Sequence, residues 1–202
     1  MKIMIIPAIL ENNFDNVCFQ LDRYVEVAKR VQIDLVKWKP DGTEELPHWD
    51  IYDFEFDLLG QSDMETLEKV KDMGAAFVVW HLNDKYTAKE AYEYCREYEM
   101  QMAICGYVDD VLKEIDNCDY VQLMGISHVG LQGQAFREGV IDDIKKLCQN
   151  SDKNIQIDGA MNEETIKRCV DVGATQFAVG SALKNTLDVV STYRKLKNIV
   201  HS

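Results

Sequence analysis

The sequence predicts a parallel (β/α)8, or TIM, barrel, and three observations carry that expectation. Eight short apolar or alternating segments are spaced along 202 residues, separated by stretches with the three-four apolar spacing of amphipathic helices. Parallel neighbours need helical crossovers of this kind, and doubly wound sheets rarely need eight strands. Near the C-terminal end, N-I-Q-I-D-G-A-M-N at 154–162 and V-G-S-A at 179–182 each run from a strand into a glycine turn and a new helix. Barrels keep their chemistry at that end of their strands.

Taken in order, Lys2 to Ile9 is expected as the first strand, an apolar run too short to span a membrane and without a small-residue cleavage pattern. Val17, Leu21, Tyr24, Val25 and Ala28 share one helical face, so a helix is predicted from Asp15 to Arg30, followed by a second strand from Val31 to Val36. Residues 37–53 hold two of the three prolines and no helical period, which predicts a long loop that is functional or covers the barrel mouth. The third strand, expected at 54–59, leads into a helix opened by a capping box at Ser62 and Glu65 and closed at Gly74. A fourth strand at 76–82 leads to a second capping box, Thr87 with Glu90, and a helix to Glu99. Strand five is expected at 101–105 with a short helix at 109–115, and strand six at 120–126. After a loop to Phe136 comes a helix with Val140, Ile141, Ile144, Leu147 and Cys148 on its inner stripe. Strand seven ends at Asp158, a helix covers 163–172, strand eight covers 177–179, and a last helix runs to Leu196. Residues 1–202 are assigned to a single domain, the length being short for two cores.

An apolar share of 47% and a charged share of 28%, with no low-complexity run, are those of a soluble globular protein. Thirty-five acidic residues against 22 basic ones give a formal charge of −13, which argues against a nucleic-acid or anionic-membrane partner. Six cysteines without C-x-x-C spacing are expected as small core residues in a reducing cytoplasm.

Strand alternation turns Gln32, Asp34 and Val36 inward, then Glu55, Asp57 and Leu59, with His81, Gln122, Met124, Gln156 and Asp158 from later strands. An ordinary barrel interior is filled with branched apolar side chains. Unpartnered buried carboxylates cost on the order of several kcal/mol each, so these belong at a solvated mouth, on a ligand or around a cation. Clustered carboxylates also repel, which predicts a bound metal or a protonated acid. Gly159 with Ala160, and Gly180 with Ser181, place exposed N–H groups at two adjacent strand ends, an arrangement able to cradle phosphate.

The motifs resemble those of ribulose-phosphate-binding barrels, and most of all the ribulose-phosphate 3-epimerase family. P-A-I-L at 7–10 resembles P-S-I-L, and V-Q-L-M-G-I-S-H-V-G-L-Q-G-Q-A-F at 121–136 resembles the family's sixth strand and its phosphate loop G-F-G-G-Q-x-F. I-Q-I-D-G-A-M-N resembles I-x-V-D-G-G-V-N, and V-G-S-A resembles A-G-S-A. The likeness covers nearly the whole chain in the right order. It implies a cytoplasmic isomerase of carbohydrate metabolism, of the pentose phosphate type, acting on a phosphorylated pentulose. Asp34 and Asp158 would move protons on opposite faces of the substrate, because one base cannot serve both. Substrate and phosphate contacts are implied for Gly130, Gly133, Gly159, Ala160, Gly180 and Ser181, with His81 retained at the end of the fourth strand. Family members hold a divalent metal on the two aspartates and two histidines, where it stabilises enediolate oxygens. Both histidines are absent here: H-x-D reads Gln32-Ile33-Asp34, H-L-M reads Asp57-Leu58-Leu59, and the serine of P-S-I-L is Ala8.

Three readings stay open. An epimerase with an altered oxygen cage of Asp34, Asp57, Asp158 and Gln32 would prefer magnesium or manganese to zinc and need no organic cofactor. A related phosphosugar lyase or decarboxylase is approached by Asp34, Lys37 and Asp41, although the spacing departs from D-x-K-x-x-D. A non-catalytic phosphosugar-binding protein would keep the phosphate cup alone. All three take a phosphorylated sugar as partner, none takes nucleic acid or a membrane, and a homo-oligomer is left open.

Overall fold

Eight parallel strands close on one another in chain order in the computed structural model, which describes residues 3–128 and 133–199. They are β1 Met4–Ile9, β2 Arg30–Asp34, β3 Asp53–Asp57, β4 Ala75–His81, β5 Gln101–Cys105, β6 Tyr120–Met124, β7 Asn154–Asp158 and β8 Gln176–Val179. β1 pairs with both β2 and β8, so the barrel has no open edge. Around it lie α1 Phe14–Tyr24, α2 Met64–Asp72, α3 Ala88–Glu97, α4 Val108–Lys113, α5 Val140–Asn150, α6 Glu163–Val170, α7 Ser181–Lys184 and α8 Val189–Lys197. The TIM-barrel expectation therefore holds.

Alternation along the strands explains which layer each residue joins. Val31 and Ile33 of β2 and Phe54 and Phe56 of β3 face the helices and are buried. Each such side chain taken from water contributes about 1.5–3 kcal/mol. The residues between them point to the axis, and the parallel register sets Gln32 beside Glu55 and Asp34 beside Asp57.

Several boundaries differ from expectation. The first helix stops at Tyr24, whose carbonyl takes the N–H groups of both Val27 and Ala28, and Arg30 opens β2 instead of closing the helix. The N-cap of α2 is Asp63, which accepts from Thr66 N, while Ser62 Oγ accepts from His81 N and donates to Leu58 O. Thr87 and Glu90 form the expected capping box. The final helix is two pieces, α8 being recapped by Asp188. Cys148 is exposed rather than on an inner stripe, whereas Cys95, Cys105, Cys118 and Cys169 are buried and free.

No helix bridges β2 and β3. The connecting segment instead buries Trp38, Leu46 and Tyr52. Tyr52 OH donates to Leu21 O at 2.6 Å, and the Trp38 ring lies 5.7 Å from that of Phe14, so side chains perform the covering that a crossover helix performs elsewhere. Among the described residues no helix is long and apolar enough to cross a membrane.

Candidate active site

A polar column runs from floor to mouth inside the barrel, beside an apolar cluster of Val79, Ala103, Cys105 and Tyr120. At the floor Arg30 is 8% exposed and Glu55 fully buried, and the two form an ion pair. The guanidinium lies over the Phe77 ring, 3.7 Å from its centroid, and 4.8 Å from that of Tyr120. Tyr120 OH donates to Glu55 Oε2 at 3.2 Å. Above this pair lie three fully buried amides, Gln32, Gln122 and Gln156. Above these again, His81 Nε2 sits 2.6 Å from Asp57 Oδ1 while Gln122 Nε2 donates to Asp57 Oδ2 at 2.7 Å. Burial alone would lower the His81 pKa, but Cys105 and Asp57 outweigh it and hold the imidazole well above its ordinary value. His81 and Asp57 thus form a second close pair, above the one at the floor.

Asp34 and Asp158 end β2 and β7 and line one pocket at the C-terminal ends of the strands. Between them stand β1 and β8, whose contributions to that wall are the alanines Ala8 and Ala178, so little bulk separates the carboxyls. Burial raises the Asp34 carboxyl well above the usual range, and the Asp158 and Asp57 charges add to it while the Gln32 amide opposes. Asp158 is raised to about 7, first by burial and then by Asp57, against the charge on His81. Mutual repulsion and burial favour one carboxylate with one carboxylic acid here over two carboxylates.

The far side of the pocket is built from Gly133, Gln134, Gly159, Ala160, Gly180 and Ser181. Gly159 has φ +100°, and a Cβ there would lie 2.7 Å from Ile126 Cγ1, so this position admits only glycine without rearrangement. Gly125 N donates to Asp158 O at 2.6 Å, and a Cβ on Gly125 would strike Gly159 O at 2.3 Å. The ends of β6 and β7 are therefore drawn together beneath the cup. Arg23 braces it from outside, donating to the carbonyls of Leu183, Lys184 and Thr186. Gly130 lies outside the described residues.

Two expected roles are corrected by these bonds. His81 does not line this pocket, since its ring is spent on Asp57 and it borders a separate cavity with Cys105 and Arg137. The cage of Asp34, Asp57 and Asp158 does not fit a divalent ion as placed: Asp57 is turned to His81 and Gln122, Asp34 Oδ1 to the Gln32 nitrogen, and Gln32 Oε1 to Gln156. Among the described residues no group of three or more imidazole, thiol or carboxylate side chains is placed to hold a metal. Sequence reasoning placed Glu55 inward but missed its partner. Counting back two residues from Gln32 on the same strand face would have turned Arg30 to the axis as well.

Fold and pocket together define a closed parallel (β/α)8 barrel with two acids lining one pocket at its mouth. A model of the Ribulose-phosphate 3 epimerase family matches residues 25–184, and the chain belongs to that family. The ribulose-phosphate 3-epimerase of Aquifex aeolicus is 27% identical over 154 residues, 72% of this chain and 69% of that one. The one from Buchnera aphidicola is 30% identical over 98 residues, 46% of this chain and 41% of its own length. In fold, the chain is similar to 3-hexulose-6-phosphate synthase from Salmonella typhimurium, with TM-score 0.71 at 16% identity, covering 100% of this chain and 99% of that one. Thiamine phosphate pyrophosphorylase from Pyrococcus furiosus has TM-score 0.69 at 14% identity, covering 98% and 95%.

Proposed function

We propose that this chain is an epimerase-type isomerase that inverts the carbon next to the carbonyl of a phosphorylated pentulose. The observation that carries the reading is the shared pocket of Asp34 and Asp158, with the small side chains Ala8 and Ala178 contributed by the two strands between them. One aspartate, ionised, takes the proton from the carbon, and the electron pair moves into an enediolate. The other, protonated, returns a proton from the opposite face. The phosphate is held by main-chain N–H groups around Gly159, Ala160, Gly180 and Ser181, because the nearby cations are committed elsewhere: Arg137 to Asp143 and Met124 O, Lys184 to Glu11.

The test is turnover of ribulose 5-phosphate. Asp34→Asn and Asp158→Asn are each expected to remove most of it while the circular dichroism of the fold persists, and unchanged turnover in either variant excludes the assignment. A phosphorylated pentulose should raise the melting temperature where the unphosphorylated sugar does not. Stabilisation without turnover would favour a phosphosugar-binding protein on the same barrel.

A further inference from the structure

A primary amide is directional, its oxygen only accepting and its nitrogen only donating. Gln156, fully buried on β7, touches both members of the floor ion pair. Its Oε1 accepts from Arg30 Nη2 at 3.5 Å, and its Nε2 donates to Glu55 Oε1. Turned over, the amide would set nitrogen against guanidinium and oxygen against carboxylate, two repulsions with no water to relieve them. The ion pair therefore decides which way Gln156 points.

That choice propagates. An amide nitrogen carries two hydrogens: with one on Glu55 Oε1, the other is shared between Gln32 Oε1 at 2.9 Å and Gln122 Oε1 at 2.8 Å. Each flanking amide then shows its own nitrogen to an aspartate, Gln32 to Asp34 Oδ1 at 2.8 Å and Gln122 to Asp57 Oδ2 at 2.7 Å. Reversing either would bring N–H against N–H at Gln156.

We propose that Gln156 is a positioning residue for the acid–base pair: by holding Gln32 with its nitrogen on Asp34 Oδ1, it confines the transferable proton of Asp34 to Oδ2. The catalytic use of that proton rests on the epimerase reading, whereas the bonding does not. The charged groups facing Asp34 are Asp158 from β7 and Asp57 and Glu55 from β3, the last two balanced by His81 from β4 and Arg30 from β2. None of these supplies Asp34 with a neutral donor, so among the described residues it is the Gln32 amide that selects between its two oxygens.

Nuclear magnetic resonance of the isotopically labelled full chain tests this without substrate. In the wild type, a hydrogen-bond scalar coupling is expected from the Gln32 side-chain nitrogen to the Asp34 carboxyl carbon, and another from the Gln156 nitrogen to the Gln32 amide carbon. Gln156→Met keeps the length of the side chain without its donors, so the Asp34 coupling should be lost and the Gln32 NH2 protons should exchange faster with water. With ribulose 5-phosphate, the same variant should lose kcat on the order of tenfold or more with KM unchanged, since only proton transfer is touched. A Gln32 nitrogen coupled toward Gln156 instead of Asp34 in the wild type overturns the proposal, as does a coupling that survives in Gln156→Met. If that variant does not fold, the wild-type couplings decide by themselves. Intact couplings in a protein without turnover would retire the epimerase reading and leave the amide relay standing.

Discussion

Arg30→Met removes the cation from the barrel floor while keeping an unbranched side chain between Phe77 and Tyr120. Glu55 is then a fully buried carboxylate whose remaining donors are Tyr120 OH and Gln156 Nε2. Removing one member of a buried ion pair costs about 3–5 kcal/mol, because the other charge stays behind uncompensated. In a chain of this length each kcal/mol lowers the melting temperature by about 2–4 °C, so calorimetry should record a fall of about 6–20 °C. Combining Arg30→Met with Glu55→Gln, which keeps an acceptor for Tyr120 and Gln156 but no charge, should recover at least about half of that loss. A single variant melting within about 2 °C of the parent, or a double variant no better than the single, would refute the claim that charge pairing holds the floor.

Asp158 supplies a pH dependence with a definite sign. Its carboxyl is raised to about 7 from an ordinary 3.8, so the folded chain binds that proton more tightly than the unfolded one. This contribution is complete below about pH 4 and is lost as pH climbs through about 7, and the melting curve of Asp158→Asn should fall less steeply over that window; identical profiles in the two proteins would contradict it. Gly159→Ala should cost about 1–3 kcal/mol by urea unfolding, from the positive φ and the Ile126 contact, and should weaken stabilisation by a sugar phosphate. Magnesium and manganese are expected to leave the melting temperature unchanged, since among the described residues no three imidazole, thiol or carboxylate groups are placed to hold a metal; a rise that saturates with metal would show that the donor set rearranges. Arg23→Ala frees three carbonyls at the end of α7 and just beyond it, and should speed hydrogen exchange at residues 183–186 more than in the barrel strands.

The barrel was legible because strand alternation and helix period are local signals, and the inward set from Gln32 to Asp158 followed from the same alternation. What escaped was decided by partners distant in sequence. Arg30 continues a plausible helix pattern from Asp15, and its place in a strand is set by backbone pairing with Asp53, as its inward side chain is by Glu55, 25 residues on. Ser62 and Asp63 are both acceptable caps, and the choice falls to Asp63 because Ser62 is claimed by the main chain at His81 and Leu58. The expected metal cage counted carboxylates on the right face but could not count their oxygens already bonded to Gln122 and His81. The 37–53 stretch was recognised as irregular, while its role as a cover depends on Trp38 and Tyr52 meeting α1.

The buried floor closes one end of the interior. Arg30, Glu55, Tyr120 and the three glutamines are all nearly or wholly shut off from water. Solvent hydrogen is therefore kept from reaching the two aspartates through that end, and the pocket at the strand ends, where a ligand would sit, is their approach. A molecule lodged there would act as a stopper, and isotope carried in by the protein would be diluted by the bath only after it leaves.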